Sequence, residues 1–158
     1  MKKLFLVGGI PGSGKTYFCE RNMIPNSVHI SRDEIRFSLM QEDDDYFRHE
    51  AEVYQIFWDK INEALAAGKN VYADQTNLTF KSRSWLIRNV SGYEELNFIW
   101  VRTAYDVAVE RNEARKGTRA YVPIDVLNKM YNRFAFPTKA EGYNHVYIYE
   151  NNVLREVR

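Results

Sequence analysis

Apolar residues fall along this chain in two alternating patterns. Residues 4–7 form a continuous apolar run closed by Gly8-Gly9, the signature of a strand buried on both faces of a parallel sheet. Further runs at Val28-His29-Ile30, 70–73, 96–101 and 146–149 predict four more strands, with Asp74 at the end of the third. Between them the apolar spacing becomes helical. Helix is predicted over 16–22, until Pro25 and Asn26 break it. Another starts at Ser31, where Ser31 and Glu34 read as a capping box. A long helix over 46–67 carries Val53, Tyr54, Phe57, Trp58, Ile61 and Leu65 near helical spacing and stops at Gly68. Further helices are expected over 80–90, capped by Thr79, over 105–116, and from Pro123, a residue tolerated in a first helical turn, to about Phe134. The acidic run 41–45 and residues 117–122 read as loops. Strands alternating with helices predict an α/β domain, a mainly parallel five-stranded sheet with helices on both faces. No repeat, linker or low-complexity tract divides it, so 1–158 is expected to be a single domain.

Composition changes this picture little. Of 158 residues, 45% are hydrophobic and 27% charged, an ordinary globular mixture. The formal net charge of +1 supplies no global field for nucleic acid, so any polyanion site must come from a local cluster of Arg and Lys. The single cysteine, Cys19, excludes an intramolecular disulfide, suits a reducing compartment, and falls where a small core residue is expected. The apolar run at 4–7 is too short for a signal peptide, and no stretch approaches a membrane span. A soluble, cytoplasmic protein is expected. His29, His49 and His145 are scattered without ligand spacing, so neither a histidine metal site nor a histidine base is expected.

One loop changes the picture more. Gly9-Ile10-Pro11-Gly12-Ser13-Gly14-Lys15-Thr16 matches G-x-x-x-x-G-K-S/T at every fixed position, after a predicted strand and at the start of a predicted helix. Gly12, Ser13 and Gly14 curl the backbone so that successive N–H groups point at one anion. The helix N-terminus adds partial positive charge. Lys15 is expected to reach the β- and γ-phosphates of ATP, and the Thr16 hydroxyl to ligate Mg2+. Asp33 and Arg36, three apart at the start of the next helix, should lie at the carboxyl end of the sheet beside this loop. A carboxylate there can accept the proton of an attacking hydroxyl, and an arginine can hold an anionic acceptor group. Spacing alone leaves a surface ion pair equally open.

The ordered set of Gly9–Thr16, Ser31-Arg32-Asp33-Glu34-Ile35-Arg36 and Asp74-Gln75-Thr76-Asn77-Leu78 resembles the 5′-kinase domain of the phage-type polynucleotide kinases. The likeness continues through Glu110-Arg111-Asn112, Lys116-Gly117-Thr118-Arg119 and 122–127, and through Pro137-Thr138 and Glu141-Gly142-Tyr143, so it covers residues 4 to about 150. It implies a P-loop kinase fold with ATP and Mg2+, and a nucleic-acid 5′ end as substrate. Asp33 would be the general base and Arg36 the grip on an acceptor phosphate, with Asp74, Thr76 and Arg83 also on the acceptor side. Two departures stand out. Gln75 intervenes between Asp74 and the Thr-Asn pair, which leaves Asp74 to orient the acceptor, to join the outer shell of the metal, or simply to close its strand. No D-x-D-x-T motif follows, so no 3′-phosphatase activity is expected.

Arg111 and Arg115 are four apart, and Arg119 follows Gly117. They suit either a solvated basic helix or a lid over about 111–122 that stabilises the transferred phosphoryl group. The resemblance favours the lid, with Arg115 as the first choice for the phosphate and Arg111 alternatively packed on the adenine. Lys81, Arg83 and Arg88 surround Trp85, a composition that suits single-stranded nucleic acid. Residues alone favour a core position for Trp85, as for Phe57, Trp58 and Trp100. The competing functions are a small-molecule kinase acting on a nucleoside, antibiotic or sugar, and a nucleotide-dependent binding module. DNA or RNA preference and oligomeric state are left open.

Overall fold

The structure is a computed structural model that describes residues 1–41, 44–45 and 48–158. Strands β1 (Lys3–Gly8), β2 (Ser27–Ser31), β3 (Asn70–Asp74), β4 (Glu95–Val101) and β5 (His145–Glu150) are parallel, and β6 (Val153–Glu156) pairs antiparallel with β5. They form one sheet in the order β2-β3-β1-β4-β5-β6. The helices are α1 (Lys15–Asn22), α2 (Arg32–Leu39), α3 (Glu50–Ala66), α4 (Phe80–Asn89), α5 (Tyr105–Glu113) and α6 (Ile124–Arg133), with a 3-10 turn at Lys139–Glu141.

Strand β1 is central, and its alternating side chains divide the core. Leu4 and Leu6 pack with Val53, Phe57, Ile61 and Leu65 of α3 and with Leu86 of α4. Phe5 and Val7 face the other way, onto Phe18 and Cys19 of α1 and Tyr72 of β3. The long apolar stripe on α3 thus faces the sheet, with Phe57 fully buried, so Phe57→Ala is expected to cost about 3–5 kcal/mol. A buried parallel sheet needs both faces covered, and these two half-cores cover them.

The register aims three chain segments at one crevice. Val7 lies beside Asp74, and Ser31 beside Asp74 on its other flank. The segments that leave β1, β2 and β3 therefore emerge together at the carboxyl edge, where ligands bind in open parallel sheets.

The sheet has six strands rather than the expected five. Asn151 and Asn152, both at positive φ, form a two-residue hairpin that returns the chain as β6. This is the backbone such a tight turn requires. Helix α3 is described from Glu50; Tyr46 and Phe47, part of the expected helix, and Glu42 and Asp43 of the expected acidic loop lie outside the described residues. Helix α5 ends at Glu113, short of the expected residue 116, and Pro123 stands at the N-cap of α6 rather than inside it.

Candidate active site

Chain geometry makes an anion cradle of the loop between β1 and α1. Gly12 and Gly14 have φ values of 82° and 98°, left-handed conformations that favour glycine. A Cβ on Gly12 would also lie 2.7 Å from the carbonyl oxygen of Ala108, so α5 packs against bare backbone there. Gly14 is the N-cap of α1, whose first turn carries no acidic residue to compete for its N–H groups. Lys15 Nζ donates to the carbonyl oxygens of Gly9 (2.9 Å) and Ile10 (3.5 Å), which holds it against the loop. Thr16 is exposed beside it. Gly9 N donates to Thr76 O at 3.0 Å, tying the cradle to the end of β3. Convergent N–H groups, a lysine and an exposed hydroxyl form a donor set that fits a phosphate chain with its cation.

Ser31 caps α2 by accepting from Glu34 N at 3.2 Å. That cap turns the first helical residues toward the cradle and leaves the Asp33 side chain 59% exposed at the cleft. Arg36 behaves differently. Its side chain is 1% exposed and donates to Asp33 Oδ1 at 2.6 Å and to both carboxylate oxygens of Glu50 at 2.9 Å. The Arg36 side chain, expected to grip an acceptor phosphate, is buried with these donors on carboxylates, and its partner Asp33 lines the cleft. Arg83 requires a correction. It is fully buried and donates through Nε and Nη2 to Glu141 at 2.7 and 3.2 Å and through Nη1 to Asn77 O at 3.0 Å. It lies outside the cleft lining and ties α4 to the closing segment of the chain. Burial opposes the Glu141 charge, but the Arg83 hydrogen bond, the Thr138 amide and the Arg83 charge outweigh it and hold the carboxyl below its ordinary range. The Tyr143 hydroxyl beside Glu141 is pushed far up, by burial first and then by the carboxylate charge.

Asp74 is 5% exposed at the floor of the cleft. His29 Nε2 lies 2.9 Å from its Oδ2, a contact across neighbouring strands that the scattered spacing of the histidines did not reveal. His29 pairs with Tyr72 in register, so its side chain shares the α1 face of the sheet with Asp74, two residues further along β3. Cys19 approaches from α1, and these three ligand atoms lie within 4.8 Å of one another. Burial disfavours a charged imidazole, but the hydrogen bond and charge of Asp74 prevail and raise the His29 pKa. Burial pushes the Cys19 thiol far up, with Asp74 adding to the effect, as befits a core cysteine. Gln75, the residue that departs from the family pattern, is 5% exposed and donates to Asn77 Oδ1 at 2.6 Å, while Asn77 donates to Val7 O at 3.0 Å.

Opposite α2 stands the segment after α5. Arg111 and Arg115 both line the cleft, although the helix ends between them and Arg115 sits in the following turn. Arg111 Nη1 donates to Gly12 O at 3.2 Å, directly over the cradle. Arg119 Nη1 reaches Phe37 O on α2 at 3.1 Å, so the segment spans the crevice from the phosphate loop to α2. Asn112, a residue with no role in the sequence reading, staples its two ends. The fully buried side chain donates to Val122 O at 2.6 Å and accepts from Val122 N at 3.0 Å.

Together these walls enclose a cleft of about 1740 Å³, wide enough for two substrates by comparison with pockets of roughly 300–1,000 Å³ for single small ligands. The family model of the AAA domain matches residues 4–137. The chain belongs to that family. Among solved structures, the Pnkp1/Rnl/Hen1 RNA repair complex contains a similar chain, with TM-score 0.72 and 21% identity over 84% of this chain and 43% of that one. This AAA-domain chain thus spans less than half the length of that relative. A fungal RNA kinase matches with TM-score 0.61 and 14% identity, covering 94% of this chain and 74% of the other. A gluconokinase from Sinorhizobium meliloti 1021 matches with TM-score 0.54 and 19% identity, covering 92% and 81%. What the chain shares with these structures is the fold, a mainly parallel sheet flanked by helices. Among the described residues no helix is long and apolar enough to cross a membrane.

Proposed function

We propose that this protein is an ATP-dependent polynucleotide 5′-hydroxyl kinase, which transfers the γ-phosphoryl group of ATP to the 5′ end of DNA or RNA. One observation carries the reading. An exposed carboxylate, Asp33, shares the cleft with the phosphate cradle and is oriented by a buried arginine that is itself held by Glu50. A nucleotide switch has no use for an acceptor base, whereas a phosphotransferase does.

In this reading the cradle N–H groups and Lys15 hold the ATP phosphates, and Thr16 holds Mg2+, whose charge offsets that of the phosphates. Asp33 accepts the proton of the 5′-hydroxyl as its oxygen bonds to the γ-phosphorus and the bond to the β-phosphate oxygen breaks. Arg115, with Arg111 over the cradle, stabilises charge on the moving phosphoryl group. Arg36 acts as a positioning residue for Asp33. Asp74, oriented by His29, and Thr76 complete the floor on which the acceptor end rests.

The likeness to a gluconokinase favours a second reading, a small-molecule kinase of the same fold. Incubating the protein with γ-labelled ATP, Mg2+ and, in parallel, a 5′-hydroxyl oligonucleotide, nucleosides and gluconate separates the two. Label on the oligonucleotide supports the proposal. Label on nucleosides or gluconate alone overturns it in favour of the second reading.

A further inference from the structure

A surface leading away from the acceptor side of the cleft is built from aromatic rings. Tyr54 and Trp58 of α3 and Trp85 of α4 meet at the seam between these helices. Trp85 has its ring centroid 4.8 Å from that of Tyr54 and 5.6 Å from that of Trp58. The indole of Trp85 is 44% exposed, and the other two rings are half-buried. Single exposed apolar residues are commonplace on proteins, but three contiguous rings are not. Helical spacing puts Lys81 and Arg88 on the exposed face of α4 that carries Trp85. Neither makes an ion pair among the described residues. On α3, Glu52 lies 3.7 Å from His49, and Asp59 accepts from the neutral Gln55 amide at 2.9 Å. The exposed charges of α4 beside Trp85 are thus both positive.

Arg32 joins this surface to the cleft. It lines the cleft next to Asp33, stacks over the Tyr54 ring at 4.9 Å, and donates to the Tyr54 hydroxyl at 2.6 Å and to Gln75 Oε1 at 3.1 Å. Unlike Arg36, it faces no carboxylate among the described residues, and its Nε is buried without a hydrogen-bond partner there. The extra residue Gln75 thereby has a use: its amide, held by Asn77, fixes the arginine at the junction. A cation at the mouth and an aromatic track beyond it, flanked by the cations of α4, match the chemistry of a single strand, with phosphates on the outside and bases that stack.

We propose that the Tyr54–Trp58–Trp85 surface, entered past Arg32, is the track on which a single-stranded polynucleotide acceptor lies, with a base downstream of the reacting 5′ end stacked on Trp85. This rests on the polynucleotide kinase reading above and adds the strand preference and the path. A duplex end cannot offer an unpaired base to Trp85, so single strands are the better acceptors.

The test compares KM and kcat for a 5′-hydroxyl dinucleotide and a single-stranded 12-mer in the wild type, Trp85→Ala and Trp85→Phe. The wild type is expected to show a KM about tenfold lower for the 12-mer, the size of one base-stacking contact. In Trp85→Ala the 12-mer KM should rise to the dinucleotide value, and Trp85→Phe should restore most of the difference. Quenching of tryptophan emission by the 12-mer, and its weakening when the 12-mer is made a blunt duplex, gives a readout that does not depend on turnover. If the wild type phosphorylates both acceptors and Trp85→Ala keeps the full length dependence, the track is refuted while the kinase reading stands. If the wild type phosphorylates neither, the kinase reading fails and the track fails with it.

Discussion

Two arginines in this molecule are buried to the same degree and do different things. Arg36 on α2 and Arg83 on α4 are 1% and 0% exposed, and each is neutralised by carboxylate. Their partners differ. Asp33, beside Arg36, is 59% exposed at the cleft, whereas Glu141, beside Arg83, is only 2% exposed at its side chain. In the proposed kinase, an arginine whose counterion faces the cleft orients chemistry. An arginine whose counterion is sealed in the fold joins segments of chain. Burial of the cation alone does not separate these cases; exposure of its partner does.

The comparison can be broken first at Asp33. Asp33→Asn is expected to lower the phosphotransfer rate by about 10²- to 10⁴-fold while calorimetry still shows ATP binding. Retained turnover would remove Asp33 from the chemistry. Next in size, Glu141→Gln leaves the Arg83 charge without its buried partner and should lower stability by about 3–5 kcal/mol in urea unfolding. The protein that remains folded should still turn over. The pH dependence follows in sign. The carboxyl of Glu141 is held below its ordinary value of 4.5, so its contribution is present above that pH and is lost as pH falls through the lowered value. Replacing the pair as Arg83→Met with Glu141→Leu should flatten this part of the acid limb.

Smaller effects sharpen the contrast. Glu50→Gln weakens one side of the Arg36 clamp without touching the cleft carboxylate. Loss of a charge-assisted hydrogen bond, about 1.5 kcal/mol, corresponds to roughly a tenfold fall in kcat if the clamp acts through Asp33. An effect on stability alone would make Arg36 a second Arg83. Arg119→Ala removes the bridge from the segment after α5 to α2 at Phe37 and, in the proposed kinase, is expected to cost about 1 kcal/mol, some fivefold, in kcat/KM for the acceptor. No change would place this contact outside the working cycle.

The sequence made the loop between β1 and α1 legible and left much of the rest of the cleft obscure. The cradle is contiguous, and its glycines and Lys15 act through backbone geometry that a local motif encodes. The five parallel strands followed from apolar runs because a sheet covered on both faces admits little else. Arg83 could not be read correctly, because its partner Glu141 lies 58 residues away and nothing local distinguishes a substrate-binding arginine from a sealed one. His29 was passed over for a similar reason: its link to Asp74 is made across neighbouring strands whose register no local pattern reveals. Strand β6 did have a signal, the Asn151-Asn152 pair that turns the hairpin, but its four residues are all exposed and carry no buried apolar face. Trp85 was expected in the core, and helical periodicity alone could not show that the seam between α3 and α4 leaves it half open.

The most direct test of the account uses one oligonucleotide in two forms, identical except for a hydroxyl or a phosphate at the 5′ end, each offered with γ-labelled ATP and Mg2+. Label is expected on the 5′-hydroxyl form alone, at a rate that collapses in Asp33→Asn. Label on both forms would place the acceptor hydroxyl elsewhere on the strand. Label on neither, with ATP still bound, would contradict the assignment of this cleft as a polynucleotide 5′-kinase site.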